Sequence, residues 1–397
     1  KECVLDVGPD EITIYSLDCE GNLDAPVGDK PNWDAYLINH DYKFLNPPQA
    51  INLDLNGRDC TSWTPDPNQR RRYENSSLRG ADFSGNQNLH ELDFRESDAE
   101  NADFSNTSAW KTNFSLCNLK NVKFSNANLN ESFFQDAYGE NCNFINAQLR
   151  DANFESCDLQ VAKFDLAKIQ NVIFRHAKFQ NSTWKDADLN ASMDKDNLFR
   201  LSNLTNADFS SSKITRTIFE YCDLYSVIFN GAELKDVSFI DTYSRSTRFQ
   251  FEENAILDRV GFETINLNFA KFRGADITDS GFVRLLEADG IDFSSTTLRN
   301  VTFLETELEN SDFSDAFIVD LNVVNSPLID PDFKNADIRQ SEFLGQITGG
   351  QFDGAKLDDV DFRGMTVSDF NSCSWTNAVL DNVRADSDVV QDLLDGV

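Results

Sequence analysis

Large apolar residues return at steps of five through most of this chain, a spacing that neither a helix nor a flat strand can use. A helix face repeats at about 3.6 residues and a strand face at about 2. From Asn101 onward the large positions are Phe104, Phe114, Leu119, Phe124, Leu129, Phe134, Phe144, Leu149, Phe154, Leu159, Phe164, Ile169 and Phe174. Two residues before most of them sits a small one, as at Ala102, Thr112, Cys117, Ala127, Ser132, Cys142, Ala152 and Cys157. Between the two is usually Asp or Asn, as at Asp103, Asn113, Asn118, Asn128 and Asp158. A short extended piece closed by a turn fits this pattern. The large residue and the small one point inward together, as alternate residues of a strand do, and the Asp or Asn points out. The remaining polar pair makes the corner.

A second period lies inside the first. Phe alternates with Leu, and the Phe–Leu order resumes at Phe209, Phe219, Leu224 and Phe229. With four walls per coil of roughly 20 residues, Phe lines two opposite walls and Leu the other two. The alternation also locates insertions. After Leu189 the next Phe slot falls at Asp194, yet Phe199 comes five later. Met193, Asp194, Lys195, Asp196 and Asn197 are therefore read as a corner loop and a possible interaction surface, since loops on rigid scaffolds carry recognition. Similar slips fall between Phe83 and Leu89, Phe249 and Leu257, Phe282 and Phe293, Phe343 and Phe352, and Val367 and Trp375.

The run of a small residue, Asp or Asn, Leu or Phe and two polar residues resembles the pentapeptide-repeat family. Clear copies are Ala81-Asp82-Phe83, Ala127-Asn128-Leu129, Ala187-Asp188-Leu189, Ala207-Asp208-Phe209, Ala275-Asp276-Ile277 and Ala336-Asp337-Ile338. The resemblance spans roughly three quarters of the chain and implies an all-β fold, a right-handed quadrilateral β-helix. Gly139, Ser244, Ala99 and Ala109 depart from the pattern at large positions, and an underfilled core is expected there.

Three regions follow. Residues 1–73 lack the repeat and read as a small β-rich module with a linker, residues 74–385 as the β-helix, and residues 386–397 as a short capping helix. About fifteen coils at the strand spacing of roughly 4.8 Å give a rod on the order of 70 Å long, whose bare ends need caps. Ser387 is placed to N-cap a helix carrying Val389, Val390, Leu393 and Leu394 on one face. The opening Lys-Glu-Cys suits a processed, mature protein, although no signal peptide is visible.

Chemistry-bearing residues are sparse. Cys117, Cys142, Cys157, Cys222 and Cys373 occupy the small inward slot and read as core filling. Cys3, Cys19 and Cys60 lie outside the repeat, and a Cys3–Cys19 disulfide with Cys60 free is expected in an oxidising compartment. His40, His90 and His176 share no motif, and no phosphate loop, nucleophile elbow or metal-ligand cluster appears. No catalytic residue, cofactor or metal site is assigned. Arg70-Arg71-Arg72 is the only basic run, and sequons such as Asn75, Asn106, Asn181, Asn203 and Asn300 barely exceed chance.

The net charge of −32 argues against direct binding of nucleic acid, and no apolar run is long enough to span a bilayer. Phe251–Val397 holds 29 acidic and 10 basic residues. That density is one net charge per about 2 Å of coil axis, against about 1.7 Å for duplex DNA. Three readings follow. The first is a non-catalytic scaffold or protein-binding subunit of a larger complex, presenting walls and corner loops in an exported or lumenal setting. The second, from the family resemblance, is a cytoplasmic DNA mimic that modulates a type II topoisomerase through its acidic last coils. The third is an acidic matrix protein whose Asp and Asn ladders attract Ca²⁺. A scaffold should carry an uncharged, partly apolar wall or loop patch, and a mimic should gather its carboxylates on one or two walls of the last seven coils.

Overall fold

The computed structural model describes residues 4–7, 12–15, 52–66, 71–242, 249–252, 254–385 and 388–394. Cys3, Cys19, Ser244 and Ser387 lie outside these residues, as do the side chains of Val389 and Leu393. The chain divides into two units, the first comprising Lys1–Ala50 with Pro67–Arg70 and the second Ile51–Asp66 with Arg71–Val397. In the first, strands Val4–Val7 and Ile12–Tyr15 pair antiparallel.

The second unit is a right-handed quadrilateral β-helix. Its residues at steps of five form four outward rows, each held to the next coil by parallel bridges. On wall A the row runs unbroken from Asp59 through Asp82, Asp103, Lys123 and Asn143 to Asp292, Asp312, Asp332, Gln351 and Ser374. Wall B carries Asn128, Gln148, Lys168 and Asp188, and then Lys213, Glu233, Ile256 and Asp276. Wall C begins at Arg72 and Asp93 and ends at Glu342, Asp361 and Arg384. Wall D starts with Asp54, Ser77, Asp98 and Asn118. Each coil visits A, B, C and D in turn, so A faces C across the core.

Corners need a left-handed residue, and Asn accepts that conformation more readily than most. Asn101, Asn121 and Asn141 have φ of 63°, 57° and 60° on one corner, and their side-chain amides stack. Asn121 Nδ2 donates to Asn101 Oδ1 at 3.0 Å, and Asn141 to Asn121 at 2.9 Å.

The core residues Phe104, Phe114, Leu119, Phe124, Leu129, Phe144, Leu149, Phe154, Leu159, Phe164, Phe209, Phe219, Leu224 and Phe229 are all fully buried. Phe124 stacks on Phe144 with ring centroids 5.1 Å apart, and Phe144 meets Phe134 from the opposite wall edge-on at 5.6 Å. Stacking along a wall and edge contacts across it both suit the aromatic quadrupole, at about 0.5–1.5 kcal/mol per pair beyond burial.

Three expectations need correction. The β-helix begins one coil before residue 74, because Asp54 pairs with Ser77 and Asp59 with Asp82. The sequence hides that coil, since Leu53 and Arg58 occupy its small slots. Gly139 leaves no underfilled core. A Cβ there would stand 2.5 Å from Leu159 Cδ2 and 2.9 Å from Cys142 Sγ, so the neighbours already fill the space. The slip between Val367 and Trp375 is a helix, Val367–Ser372, with a capping box between Thr366 and Asp369. A second helix, Asp388–Leu394, buries Val390 and Leu394.

Candidate functional site

With the core closed, function falls to the outer surface. The corner loop predicted at Met193–Asn197 is exposed at Met193, Asp194, Lys195 and Asp196, and Met193 stands 87% exposed. Arg216 Nη2 donates to Met193 O at 2.7 Å, and Lys195 pairs with Asp151 at 3.5 Å, which fixes the loop's path. Asn197 departs from the expectation. It is fully buried, and its side chain holds backbone groups instead of facing solvent.

The inward cysteines also do more than fill space. Cys117 Sγ donates to Phe94 O at 2.9 Å and Cys142 Sγ to Leu119 O at 2.9 Å. Ser132 Oγ does the same to Ala109 O at 2.8 Å, so the small slot is also a donor slot. Burial pushes the Cys117, Cys142 and Cys157 thiols far up, and Cys222 up to about 12. Such thiols are neither nucleophiles nor metal ligands at neutral pH. Cys60, also free, closes the first coil.

Charge is sorted by wall in the later coils. On wall A, Asp292, Asp312 and Asp332 are bridged in a row, and on wall D Asp289 is bridged to Glu309. Glu287 and Glu307 belong to wall D, and Asp330 to the corner between the two walls. Among the described residues, Lys334 bonded to Asp332 at 3.4 Å is the one cation paired into this group. Like charges on adjacent rungs are destabilising, so this arrangement works against the fold. Wall B is the reverse. Arg299 pairs with Asp276 and Arg339 with Asp337, and both guanidiniums lie over the Phe317 ring at 5.4 and 5.3 Å.

Wall C, on the opposite side of the coil from the Asp292–Asp332 row, has an outward row without charge from Leu198 to Asn322, before Glu342. Its outward row reads Leu198, Ile218, Ser238, Gly261, Gly281, Thr302 and Asn322. Two residues on, the parallel column reads Arg200, Glu220, Ile240 and Glu263 and then turns apolar as Val283, Leu304, Val324 and Leu344. These last four are half-buried. Arg284, at the corner beyond Val283, is paired with Glu263 of this column, and Arg200 with Glu220.

Among the described residues, no group of three His, Cys, Asp or Glu side chains is placed to hold a metal ion, and no helix is long and apolar enough to cross a membrane. The family model for pentapeptide repeats matches eight copies over residues 100–136, 123–164, 142–181 and 202–239. The chain is a pentapeptide-repeat protein. No curated protein sequence matches it. Among solved structures this pentapeptide-repeat protein is similar to HetL of the cyanobacterium Nostoc sp. strain PCC 7120, a pentapeptide repeat protein involved in heterocyst differentiation regulation. The identity is 14% over 79% of this chain and 90% of HetL, with a TM-score of 0.23. It is also similar to a trypsin-treated form of QnrB1, a plasmid-mediated fluoroquinolone resistance protein, at 14% identity over 81% of this chain and 95% of that one, with a TM-score of 0.24.

Proposed function

We propose that this pentapeptide-repeat protein is a non-catalytic scaffold that binds protein through its walls. The observation that carries this reading is wall C, whose outward row is without charge from Leu198 to Asn322 and whose neighbouring column is apolar from Val283 to Leu344, on a chain of net charge −32. Repeat surfaces of this kind present extended contact area on a rigid frame. Half-buried branched side chains such as Leu304 and Val324 supply apolar contact that needs no loop ordering on binding. The setting is an exported or lumenal assembly, where Cys3 and Cys19 form a disulfide. Cross-linking mass spectrometry on native-source material tests both parts. Cross-links from residues flanking wall C to a partner, and a Cys3–Cys19 disulfide peptide, are expected. Links confined to the acidic walls would overturn the wall C assignment.

The second reading, DNA mimicry toward a type II topoisomerase, is favoured by one observation, the unneutralised carboxylates on adjacent walls A and D. It places the protein in the cytoplasm. Its test is topoisomerase inhibition at low salt that fades as salt rises and disappears when Asp292, Asp312 and Asp332 are changed to Asn. Full inhibition by that variant would remove the reading.

A further inference from the structure

The last coil is closed on three of its four sides. Within the stack each outward residue holds the coil before it twice, as Ser374 donates its N–H to Gly350 O at 2.8 Å while its C=O accepts the N–H of Phe352 at 2.7 Å. Past Arg384 no further coil follows among the described residues, and other groups take over these bonds. On wall C the side-chain amide of Gln391 does so, donating to Val383 O and accepting the N–H of Ala385, both at 2.9 Å. On wall D the helix Val367–Ser372 stands where a strand would, and Ser372 Oγ accepts the N–H of Gly349 at 2.9 Å. On wall A the ring of Phe370 stacks on Trp375 at 5.4 Å.

Wall B is left bare. The strand Val379–Asp381 pairs with Lys356–Asp358 along one edge, and among the described residues no strand pairs with the other. Ala378 O and Leu380 N–H are the counterparts of the two groups that Gln391 holds on wall C. Neither has a hydrogen-bond partner among the described residues, nor do the N–H groups of the corner residues Asn377 and Asn382. Leu380 is half-buried where Leu357, one coil earlier, is 1% exposed, and Val379 stands 58% exposed. A bare edge of this kind is a template for another strand.

We propose that an extended, basic peptide segment of a protein partner adds to this edge as a further parallel strand of wall B. The unpaired groups set its direction. The peptide residue opposite Val379 gives its N–H to Ala378 O and its C=O to Leu380 N–H, as in the parallel rungs above. The carbonyls three residues earlier and two residues later then meet the N–H groups of Asn377 and Asn382. In strand addition the main-chain bonds give affinity and alternate side chains give selectivity. Here the peptide needs a small residue over Ala378, a β-branched one beside Val379, an aliphatic one over Leu380 and a basic one beside Asp381.

Charge selects the last of these. Arg339, Asp358 and Asp381 follow one another on successive rungs of a single column. Arg339 is bonded to Asp337 of its own rung, and neither Asp358 nor Asp381 is paired with a cation among the described residues. Like charges on adjoining rungs repel, and a Lys or Arg on the next rung offsets that repulsion. The net charge of −32 draws a cationic segment toward the same end. The site lies on wall B at the end of the stack, so it goes beyond the reading of wall C and stands or falls separately.

Hydrogen exchange of the full chain, read by mass spectrometry, tests the proposal. The probe is the end-blocked peptide Lys-Asn-Ala-Val-Ile-Arg-Gln, which copies Lys334–Gln340 with valine in place of Asp337. Carried into the millimolar range, it should slow exchange over residues 377–382 by about tenfold and leave wall C unchanged. N-methylation of its valine removes the N–H meant for Ala378 O and should abolish the protection. Asp381→Lys, an exposed change, should weaken the response, and a peptide with Glu in place of Arg should restore it in that variant. No slowing in wild type, equal slowing by the N-methylated peptide, or a response indifferent to Asp381→Lys overturns the proposal. So does slowing that grows with protein concentration in the absence of peptide, because the edge would then be taken by a second copy.

Discussion

Asn197 Oδ1 accepts the backbone N–H of Val172 at 3.0 Å, across one coil boundary, while Asn197 Nδ2 donates to Leu189 O at 3.1 Å. One side chain thereby satisfies both a donor and an acceptor that the inserted loop after Ala191 would otherwise leave unpaired in the core. Asn197→Ala should destabilise the fold by about 2–4 kcal/mol, since each orphaned buried group costs about 1–3 kcal/mol. Asp194→Ala, on the exposed side of the same loop, should change stability by no more than about 0.5 kcal/mol. Urea denaturation of the two variants checks the contrast, and equal effects would mean that Asn197 holds nothing.

Gly139 gives the opposite kind of test. A large residue is missing from its slot, yet Leu159 Cδ2 and Cys142 Sγ lean into the space, with Leu119 Cβ 3.4 Å from where a Cβ would stand. Gly139→Ala should therefore overpack the core and destabilise by about 1–3 kcal/mol. A gain in stability on thermal unfolding would show that a void exists there after all.

These two residues mark where the sequence stops being readable. The inward rows follow from the step of five, because every coil must bury the same two slots. The gap between Leu189 and Phe199 locates an insertion, but counting cannot say that Asn197 turns inward at its end. Gly139 breaks the pattern by identity, while its filling depends on rotamers of Leu159 and Cys142 from other coils. The helix at Val367–Ser372 did leave a signal in Thr366 and Asp369, a capping pair within a known slip. Wall C was legible in principle, since Val283, Leu304, Val324 and Leu344 recur once per coil. It becomes visible only when register is carried through each insertion.

The N-terminal edge of wall C holds a half-buried charge network with a defined pH response. Glu74 accepts from Arg72 and Arg95, and Arg95 also pairs with Asp93 at 3.1 Å. Burial, against the pull of Arg95 and with the repulsion of Glu74, pushes the Asp93 carboxyl from 3.8 up to about 6. Burial also raises Glu74, but the two guanidiniums outweigh it and hold that carboxyl below its usual value. A raised folded-state value means that the Asp93 contribution is complete below about pH 4 and is lost as pH rises through about 6. The depressed Glu74 contributes in the opposite sense, present above its unfolded value and lost in acid. Asp93→Asn should flatten the rise in stability between pH 7 and 5 by on the order of 1 kcal/mol, read as the difference from wild type. An unchanged pH profile would show that Asp93 titrates as an ordinary surface carboxylate.

Asp312 tests whether the acidic row is a cost carried for another purpose. It lies between Asp292 and Asp332 on consecutive rungs, and its Oδ1 accepts the N–H of Ser314 at 2.8 Å. Asn preserves that acceptor and removes the charge, so Asp312→Asn isolates the repulsion. The variant should be more stable than wild type by about 0.2–1 kcal/mol at low salt. The gain should shrink as the Debye length falls from about 30 Å at 0.01 M salt to about 3 Å at 1 M. Asp276→Asn on wall B breaks the pair with Arg299 and should give no such gain, because there the carboxylate is already matched. Thermal melts of both variants across that salt range decide the matter. A salt-independent gain, or none, would mean that the row is relaxed by solvent and places no demand on a cationic partner.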